Sequence, residues 1–164
     1  EVSGLQLDLP DVPPVPTILA ALGTVMLKLA GEFTEGTNTW MVGSKTIETH
    51  ITKHLNGAAE AAGRSMPRII AGFPIVLTTK VTEAREKLEK GLEIYGQLPS
   101  YRAMLDREGV DSPADLALIG DEDALRTNLL SIESSGVTDF NAAIMDIEPG
   151  AFERTFEFVA SLKS

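Results

Sequence analysis

The order of apolar runs and helical patterns is the feature of this sequence that most restricts its fold. Apolar runs at 17–22, 37–42, 67–79 and 137–144 are each followed by a longer segment with helical spacing. Strands separated by that much chain cannot form hairpins, so they must run parallel with helices as crossovers. The sequence therefore predicts an α/β domain of four parallel βα units.

The helices are predicted from the spacing of their apolar residues and from the residues at their ends. Thr24 is expected to cap the first helix, which runs to a C-cap at Gly36. Its expected buried face is Met26, Leu29, Ala30 and Phe33. The next helix spans 44–62, and its inward residues are Ile47, Ile51, Leu55 and Ala58. Further helices are expected over 81–95, 98–108 and 121–135, the last with Asp121 as its N-cap.

The final helix begins near Pro149, and its apolar residues fall on one stripe. That stripe consists of Phe152, Phe156, Val159 and Leu162. Prolines mark two other places. Four of them lie in residues 1–16 and predict an extended lead-in, while Pro74 inside the third strand predicts a local break or an unpaired edge.

Four βα units are compatible with two architectures. They could be half of a (β/α)8 barrel, which takes about 250 residues or more. They could also be a small open doubly wound sheet that binds an unrelated ligand. Periodicity does not choose between these alternatives.

Composition excludes several classes of function. The chain has 24 acidic and 14 basic residues and a net charge of −10, which opposes binding to nucleic acid. No apolar run approaches the roughly 20 residues of a membrane span. There is no cysteine, so thiol catalysis and disulfides are excluded. With no signal-peptide pattern at the N-terminus, we expect a cytoplasmic protein.

Several segments carry a resemblance to a known family. The run 22–32, with Leu29-Ala30-Gly31-Glu32, then Gly36 and a tryptophan-containing strand, resembles the luciferase-like monooxygenase superfamily. The stretch 94–109 is similar to an actinobacterial subgroup of deazaflavin-dependent class oxidoreductases, and 117–122 and 136–140 continue the match. The resemblance implies one domain over 1–164, the C-terminal half of a (β/α)8 TIM barrel.

By this resemblance the cofactor is the deazaflavin coenzyme F-420, with FMN as the alternative. Its phosphate is expected at the N-terminus of the first helix, where backbone N–H groups and the helix dipole favour an anion. The residues implied there are Gly23, Thr24, Val25 and Met26. Thr24 and Val25 stand where relatives often have a proline and a basic residue, and Lys28 lies one turn further on.

The end of the second strand is the other implied cofactor segment. Trp40 and Met41 are expected to face the cofactor, Gly43 to allow a close backbone approach, and Ser44 to cap the next helix. The alternative for Trp40 is an ordinary core aromatic residue.

The long segment after the third strand is expected to shape the substrate pocket. Tyr101 and Arg102 are the implied substrate-binding residues, with Tyr95 nearby, and Arg102 could meet an anionic group. The alternative for Arg102 is a structural salt bridge.

No residue is identified as catalytic. His50 and His54 have the spacing of metal ligands on one helix face, but no third ligand accompanies them. We therefore predict a surface pair and no metal. Nucleophile elbows, Walker loops and dinucleotide fingerprints are missing from the sequence.

The resemblance implies flavin- or deazaflavin-dependent hydride transfer or monooxygenation by a whole barrel. In that superfamily the substrate pocket comes largely from the first four strands, which are not in this sequence. Two interpretations follow. The chain is a partial oxidoreductase, or it is a non-catalytic half-barrel scaffold that self-associates without cofactor. A half barrel has two open sheet edges and an uncovered inner face, so we expect a homodimer or larger assembly.

Overall fold

A computed structural model describes residues 13 and 15–162, and these form a parallel sheet with helices packed against it. The predicted lead-in over 1–16 lies largely outside the described residues. The strands are β1 (Leu19–Ala20), β2 (Gly36–Trp40), β3 (Arg68–Leu77), β4 (Leu118–Gly120) and β5 (Asp139–Ile144).

The helices follow the strands in the predicted order. They are α1 (Thr24–Phe33), α2 (Ser44–Thr46), α3 (Lys53–Ala61), α4 (Val81–Gln97), α5 (Pro99–Glu108), α6 (Glu122–Ser134) and α7 (Ala151–Ser161). A π-helical segment, Ile47–Thr52, joins α2 to α3 without a break, and a 3₁₀ helix, Pro113–Leu116, precedes β4. In the part of the chain that the structure describes, no helix is long and apolar enough to cross a membrane.

All strand pairs are parallel, which confirms the predicted α/β fold with a parallel sheet, and β3 is the central strand. Residues 70–72 of β3 pair with β2 and also with β5, so these two strands flank it. Ile75 pairs with both Leu118 of β4 and Ile144 of β5, which places β4 on the same edge of β3 as β2. The sequence prediction of four strands missed β4, because three residues show no period.

Pro74 lies at the gap between β2 and β4. The pairing of β2 with β3 ends at Gly72 and that of β4 begins at Ile75, while Pro74 pairs on its other side with Ala143. Proline has no N–H to donate to a neighbouring strand, so it fits where one edge lacks a partner. Of the two predicted alternatives, the unpaired edge is confirmed, and β3 continues through Pro74 without a break.

The core lies between the sheet and its helices. Alternate residues of β3 point into it: Ile69, Ala71, Phe73 and Ile75. The Phe73 ring stacks on that of Phe140 in β5, with centroids 6.1 Å apart. On the opposite face of the sheet, Ala20 and Asn38 in β1 and β2 are exposed, whereas Val76 of β3 is buried against Ala84 and Ala151.

The predicted buried face of α1 is wrong except at Ala30. Leu27, Ala30 and Gly31 are buried, whereas Met26, Leu29 and Phe33 are exposed. The reason is a close crossing with α3, since a Cβ at Gly31 would lie 2.4 Å from the Leu55 carbonyl oxygen. Because α1 is apolar on several sides, the small residue Gly31 determines which of its faces packs against α3.

The apolar stripe predicted on α7 is not the buried face of this helix. Ala151, Thr155 and Phe158 are buried, whereas Phe152 and Phe156 are exposed. A hydrogen bond fixes this orientation, because the Leu77 N–H at the end of β3 donates to the Thr155 hydroxyl at 2.9 Å. Likewise Ala59, rather than the predicted Ala58, is the buried residue at the end of the α3 series.

Some predicted caps differ by one position. The N-cap of α1 is Gly23, not Thr24, and that of α2 is Gly43, not Ser44. Gly36 does not cap a helix but begins β2. Asp121 is confirmed as the N-cap of α6, since its carboxylate accepts from the Ala124 N–H at 2.9 Å.

Candidate functional site

The carboxyl ends of the parallel strands meet at one end of the sheet, where active sites of (β/α)8 barrels lie. The β1–α1 turn at this end has open space around its glycine. Gly23 carries no side-chain cap, the first turn of α1 contains no acidic residue, and a Cβ at Gly23 would meet nothing within 4 Å. Val25 and Met26 are exposed. The turn thus presents uncapped backbone N–H groups to its surroundings.

A buried histidine supports this turn. The Nε2 atom of His50 lies 2.9 Å from the Leu22 carbonyl oxygen, immediately before Gly23. The predicted surface pair is wrong for His50, which is 4% exposed and lies in the π-helical segment. The His54 ring contacts it edge-on at 5.0 Å, and burial together with the charge of His50 lowers the pKa of His54. No group of metal ligands is present in residues 13 and 15–162.

Trp40 and Met41 lie together at the end of β2. Successive residues of a strand normally point to opposite faces. Met41 has φ 50°, in the left-handed region, and both side chains join one apolar cluster. Such backbone strain in a buried residue is sustained by the packing around it.

That cluster is formed with the insert, by which we mean residues 81–116 between β3 and β4. Trp40 contacts Tyr95 edge-on at 6.3 Å, and Tyr95 contacts Tyr101 at 5.0 Å. Burial raises the pKa of Tyr101, with Tyr95 adding to the effect. Leu88, Leu92 and Leu105 complete the packing. The structure therefore brings the predicted cofactor residue Trp40 into one cluster with the predicted substrate residue Tyr101 of the insert.

Gly43 allows a close approach, but the approaching group is Glu108. A Cβ at Gly43 would lie 2.1 Å from the Glu108 carboxyl carbon. That carboxylate accepts from the N–H groups of Thr46 at 2.7 Å and Lys45 at 3.3 Å. Glu108 thus caps α2 from the end of α5 and ties the insert to the β2–α2 junction.

Arg102 binds within the insert. Its guanidinium donates to the Asp106 carboxylate at 2.8 Å and to the carbonyl oxygens of Asp111 and Val110 at 2.7 and 2.9 Å. These contacts correspond to the structural salt bridge that was the alternative interpretation of Arg102. A substrate-binding role for Arg102 stays a prediction.

A polar cavity of about 340 Å³ at the ends of β3 and β4 was not predicted. Glu148 is one of its lining residues, and its side chain is 17% exposed. Its carboxylate accepts from the Thr78 hydroxyl at 2.9 Å, lies 3.3 Å from the Lys80 ammonium, and pairs with Arg154. The sequence could have indicated these residues only by their position, since Thr78 directly follows β3 and Glu148 follows β5 by a few residues.

The Glu148 cluster predicts a specific pH dependence of stability. The Thr78 hydrogen bond is the largest cause that holds the pKa of Glu148 below its ordinary value of 4.5, with Lys80 and Arg154 also lowering it. A carboxyl whose pKa is lowered by folding contributes stability above the unfolded pKa and loses it as the pH falls through the folded pKa. We expect Glu148→Gln to be less stable than the wild type at neutral pH, with the difference shrinking below pH 4.5.

Urea unfolding across an acid pH series measures this difference. Thr78→Val removes the largest cause and should reproduce part of the change without removing the carboxyl. An equal acid-side loss in the wild type and Glu148→Gln would contradict the assignment.

The chain is similar to a known protein family and to several solved structures. A family model described as luciferase-like monooxygenase matches residues 3–139. No curated protein matches the chain. The solved coenzyme F420 dependent tetrahydromethanopterin reductase from Methanopyrus kandleri matches with TM-score 0.71 and 22% identity, over 88% of this chain and 49% of that one.

Two further structures show the same relationship. An F420-dependent secondary alcohol dehydrogenase, in complex with an F420-acetone adduct, has TM-score 0.71 and 16% identity over 94% of this chain and 51% of its own. The oxygenating constituent of 3,6-diketocamphane monooxygenase from Pseudomonas putida, in complex with FMN, has TM-score 0.61 and 15% identity, over 87% and 45%. The chain spans about half the length of the structures it matches.

Proposed function

Since this chain belongs to the luciferase-like monooxygenase family, we propose that it is half of a flavin-type oxidoreductase barrel and binds the phosphate of its cofactor. The deazaflavin coenzyme F-420 is the proposed cofactor, and FMN is the alternative. Similar solved structures include both F420- and FMN-containing enzymes. The oxidoreductase activity itself is proposed for a complete barrel, because the chain spans about half of those structures.

The uncapped N-terminus of α1 is the observation that carries the proposal. Backbone N–H groups at a helix start bind anions, and the helix dipole favours negative charge there. The open space at Gly23 and the lack of an acid in the first turn suit a phosphate. The Thr24 hydroxyl can donate a further hydrogen bond, and Lys28 lies one turn along the helix.

The other predicted cofactor residues are already in contact with the protein's own side chains. Trp40 and Met41 pack under the insert, and Glu108 fills the approach at Gly43. We therefore assign the cofactor's phosphate, but not its ring, to the surface presented here. When bound in a complete site, the cofactor supplies hydride transfer, and this chain's residues hold and orient it.

A fluorescence titration tests the phosphate site. We expect coenzyme F-420 or FMN to bind with submillimolar Kd, and riboflavin, which lacks the phosphate, to bind at least about tenfold more weakly. Gly23→Asp places a negative charge at the N-cap and should weaken FMN binding by a similar factor. Because Asp is a good N-cap and the space is open, the same variant should keep or raise the thermal stability of the chain.

Gly23→Ala is the matched control, since it adds neither charge nor a side-chain acceptor, fits the open space and should bind FMN like the wild type. Equal binding of FMN and riboflavin, or FMN binding unchanged by Gly23→Asp, would refute the phosphate site.

A second candidate function is a half-barrel scaffold that self-associates without cofactor. Exposed apolar side chains on α1 and α7 favour it, because soluble monomers rarely leave large contiguous apolar patches uncovered. The titration separates the two candidates, since a scaffold of this kind binds neither coenzyme F-420 nor FMN.

A further inference from the structure

Exposed apolar side chains concentrate on the first and the last helix of the half barrel. On α1 they are Val25 (72% exposed), Met26 (41%), Leu29 (39%) and Phe33 (69%). On α7 they are Phe152 (45%), Phe156 (57%) and Leu162 at its end (36%). The rings of Phe152 and Phe156 stack at 6.3 Å, so they present one continuous surface. We call these sets the α1 stripe and the α7 stripe.

The two stripes lie on the helices that follow two of the edge strands, β1 and β5; the three-residue β4 is also paired on one side only. Within the described residues, β1 pairs only with β2 and β5 pairs only with β3, so each has one free edge. The α1 stripe follows β1 in the chain, and the α7 stripe follows β5. Unpaired strand edges beside apolar helix faces mark surfaces that require a partner.

We propose that two copies of this chain associate about a twofold axis, with the α1 stripe of each packed against the α7 stripe of the other. The free edge of β1 in one copy then pairs in parallel with the free edge of β5 in its partner. Without the short β4, which pairs with β3 beyond the end of β2, the strands β1, β2, β3 and β5 of two copies make eight, the number that closes a (β/α)8 barrel. This inference rests on the self-association named as the second candidate function and not on cofactor binding.

The two stripes are similar in length, and one lysine beside the α1 stripe is opposite in charge to the glutamates beside the α7 stripe. From Val25 to Phe33 the α1 stripe extends about 12 Å, at 1.5 Å per residue, and the α7 stripe from Phe152 to Leu162 about 15 Å. Exposed Lys28 flanks the α1 stripe. Exposed Glu153 and Glu157 flank the α7 stripe. Glu32 adds one like charge near the end of α1.

A twofold arrangement explains why both ends of the half barrel are apolar. Each copy offers an α1 stripe and receives an α7 stripe, so two contacts form and no apolar end is left over. A head-to-head contact between two α1 stripes would leave both α7 stripes and four sheet edges exposed.

Light scattering after size exclusion, at micromolar concentration and without cofactor, tests the association. The expected mass is twice the 17.6 kDa of one chain. Leu29→Lys and Phe156→Glu each place a charge in a stripe and should each weaken the dimer at least tenfold. Both residues are exposed, so circular dichroism should show an unchanged fold.

Mixing these two variants tests the pairing itself. In a mixed dimer the lysine of one variant faces the glutamate of the other, while the second contact is wild type on both sides. The mixture should therefore recover the dimer mass that neither variant shows alone. Ile94→Lys, on an exposed apolar residue of α4, is the matched control and should remain dimeric.

A wild-type monomer at these concentrations would overturn the proposal and leave the stripes to a different chain. Loss of the dimer in Leu29→Lys alone, without recovery on mixing, would also overturn it, in favour of α1–α1 contact. Neither result bears on the phosphate site, which is measured by titration.

Discussion

Gly36→Ala is expected to lower the free energy of unfolding by at least about 3 kcal/mol, because two separate costs fall on one residue. Gly36 has φ 153°, which L side chains rarely adopt. An added Cβ would also lie 2.1 Å from the Arg68 carbonyl oxygen, in the backbone of the neighbouring strand β3. Strand backbone cannot move aside without breaking its pairing with β2 and β5.

Gly57→Ala is the control for this substitution. Gly57 lies within α3, and a Cβ there would meet nothing within 4 Å. Alanine favours helix over glycine, so this variant should gain up to about 1 kcal/mol. Chemical denaturation of both variants measures the difference. A Gly36→Ala protein as stable as the wild type would show that β2 does not approach β3 as described.

Leu27→Ala is expected to cost about 3 kcal/mol, and Leu29→Ala less than about 1 kcal/mol, on the same helix. Leu27 is fully buried, whereas Leu29 is 39% exposed. The two leucines lie on different faces of α1, so the difference between their stability costs reports which face of the helix is buried.

The comparison requires a background in which the α1 stripe has no partner. Phe156→Glu provides it, since the proposed dimer does not form there, and denaturant unfolding then reports one chain. The reverse order of the two costs would restore the face that the sequence pattern predicts for α1.

The order of elements was predictable because each long apolar run and each helical run is a local signal. The strand β3 illustrates this, since seven of its ten residues are buried and their apolar run is clear in the sequence. The face of α1 was not predictable in the same way. Its apolar residues surround the helix, and Gly31 settles the contact only through its crossing with Leu55, which lies on another helix.

The parts of the candidate site also differ in whether the residues that form them are neighbours in the sequence. The β1–α1 turn follows from a strand, a glycine and a helix that are adjacent in sequence, and the resemblance points to it. The capping of α2 by Glu108 joins residues more than 60 positions apart, and the cavity at Glu148 joins β3 to the segment after β5. Such contacts exist only once the chain has folded, so neither spacing nor composition could reveal them.

The π-helical segment constrains the length of the chain as well as its residues. Ile47, Ile51, Leu55 and Ala59 recur at intervals of four and are all buried. At 3.6 residues per turn, such a series would drift about 40° at each step, and the wider turn of Ile47–Thr52 offsets that drift. A one-residue deletion there would turn the preceding residues by about 100° and carry His50 away from the Leu22 carbonyl. Insertions and deletions in this helix are therefore more damaging than most of its conservative substitutions.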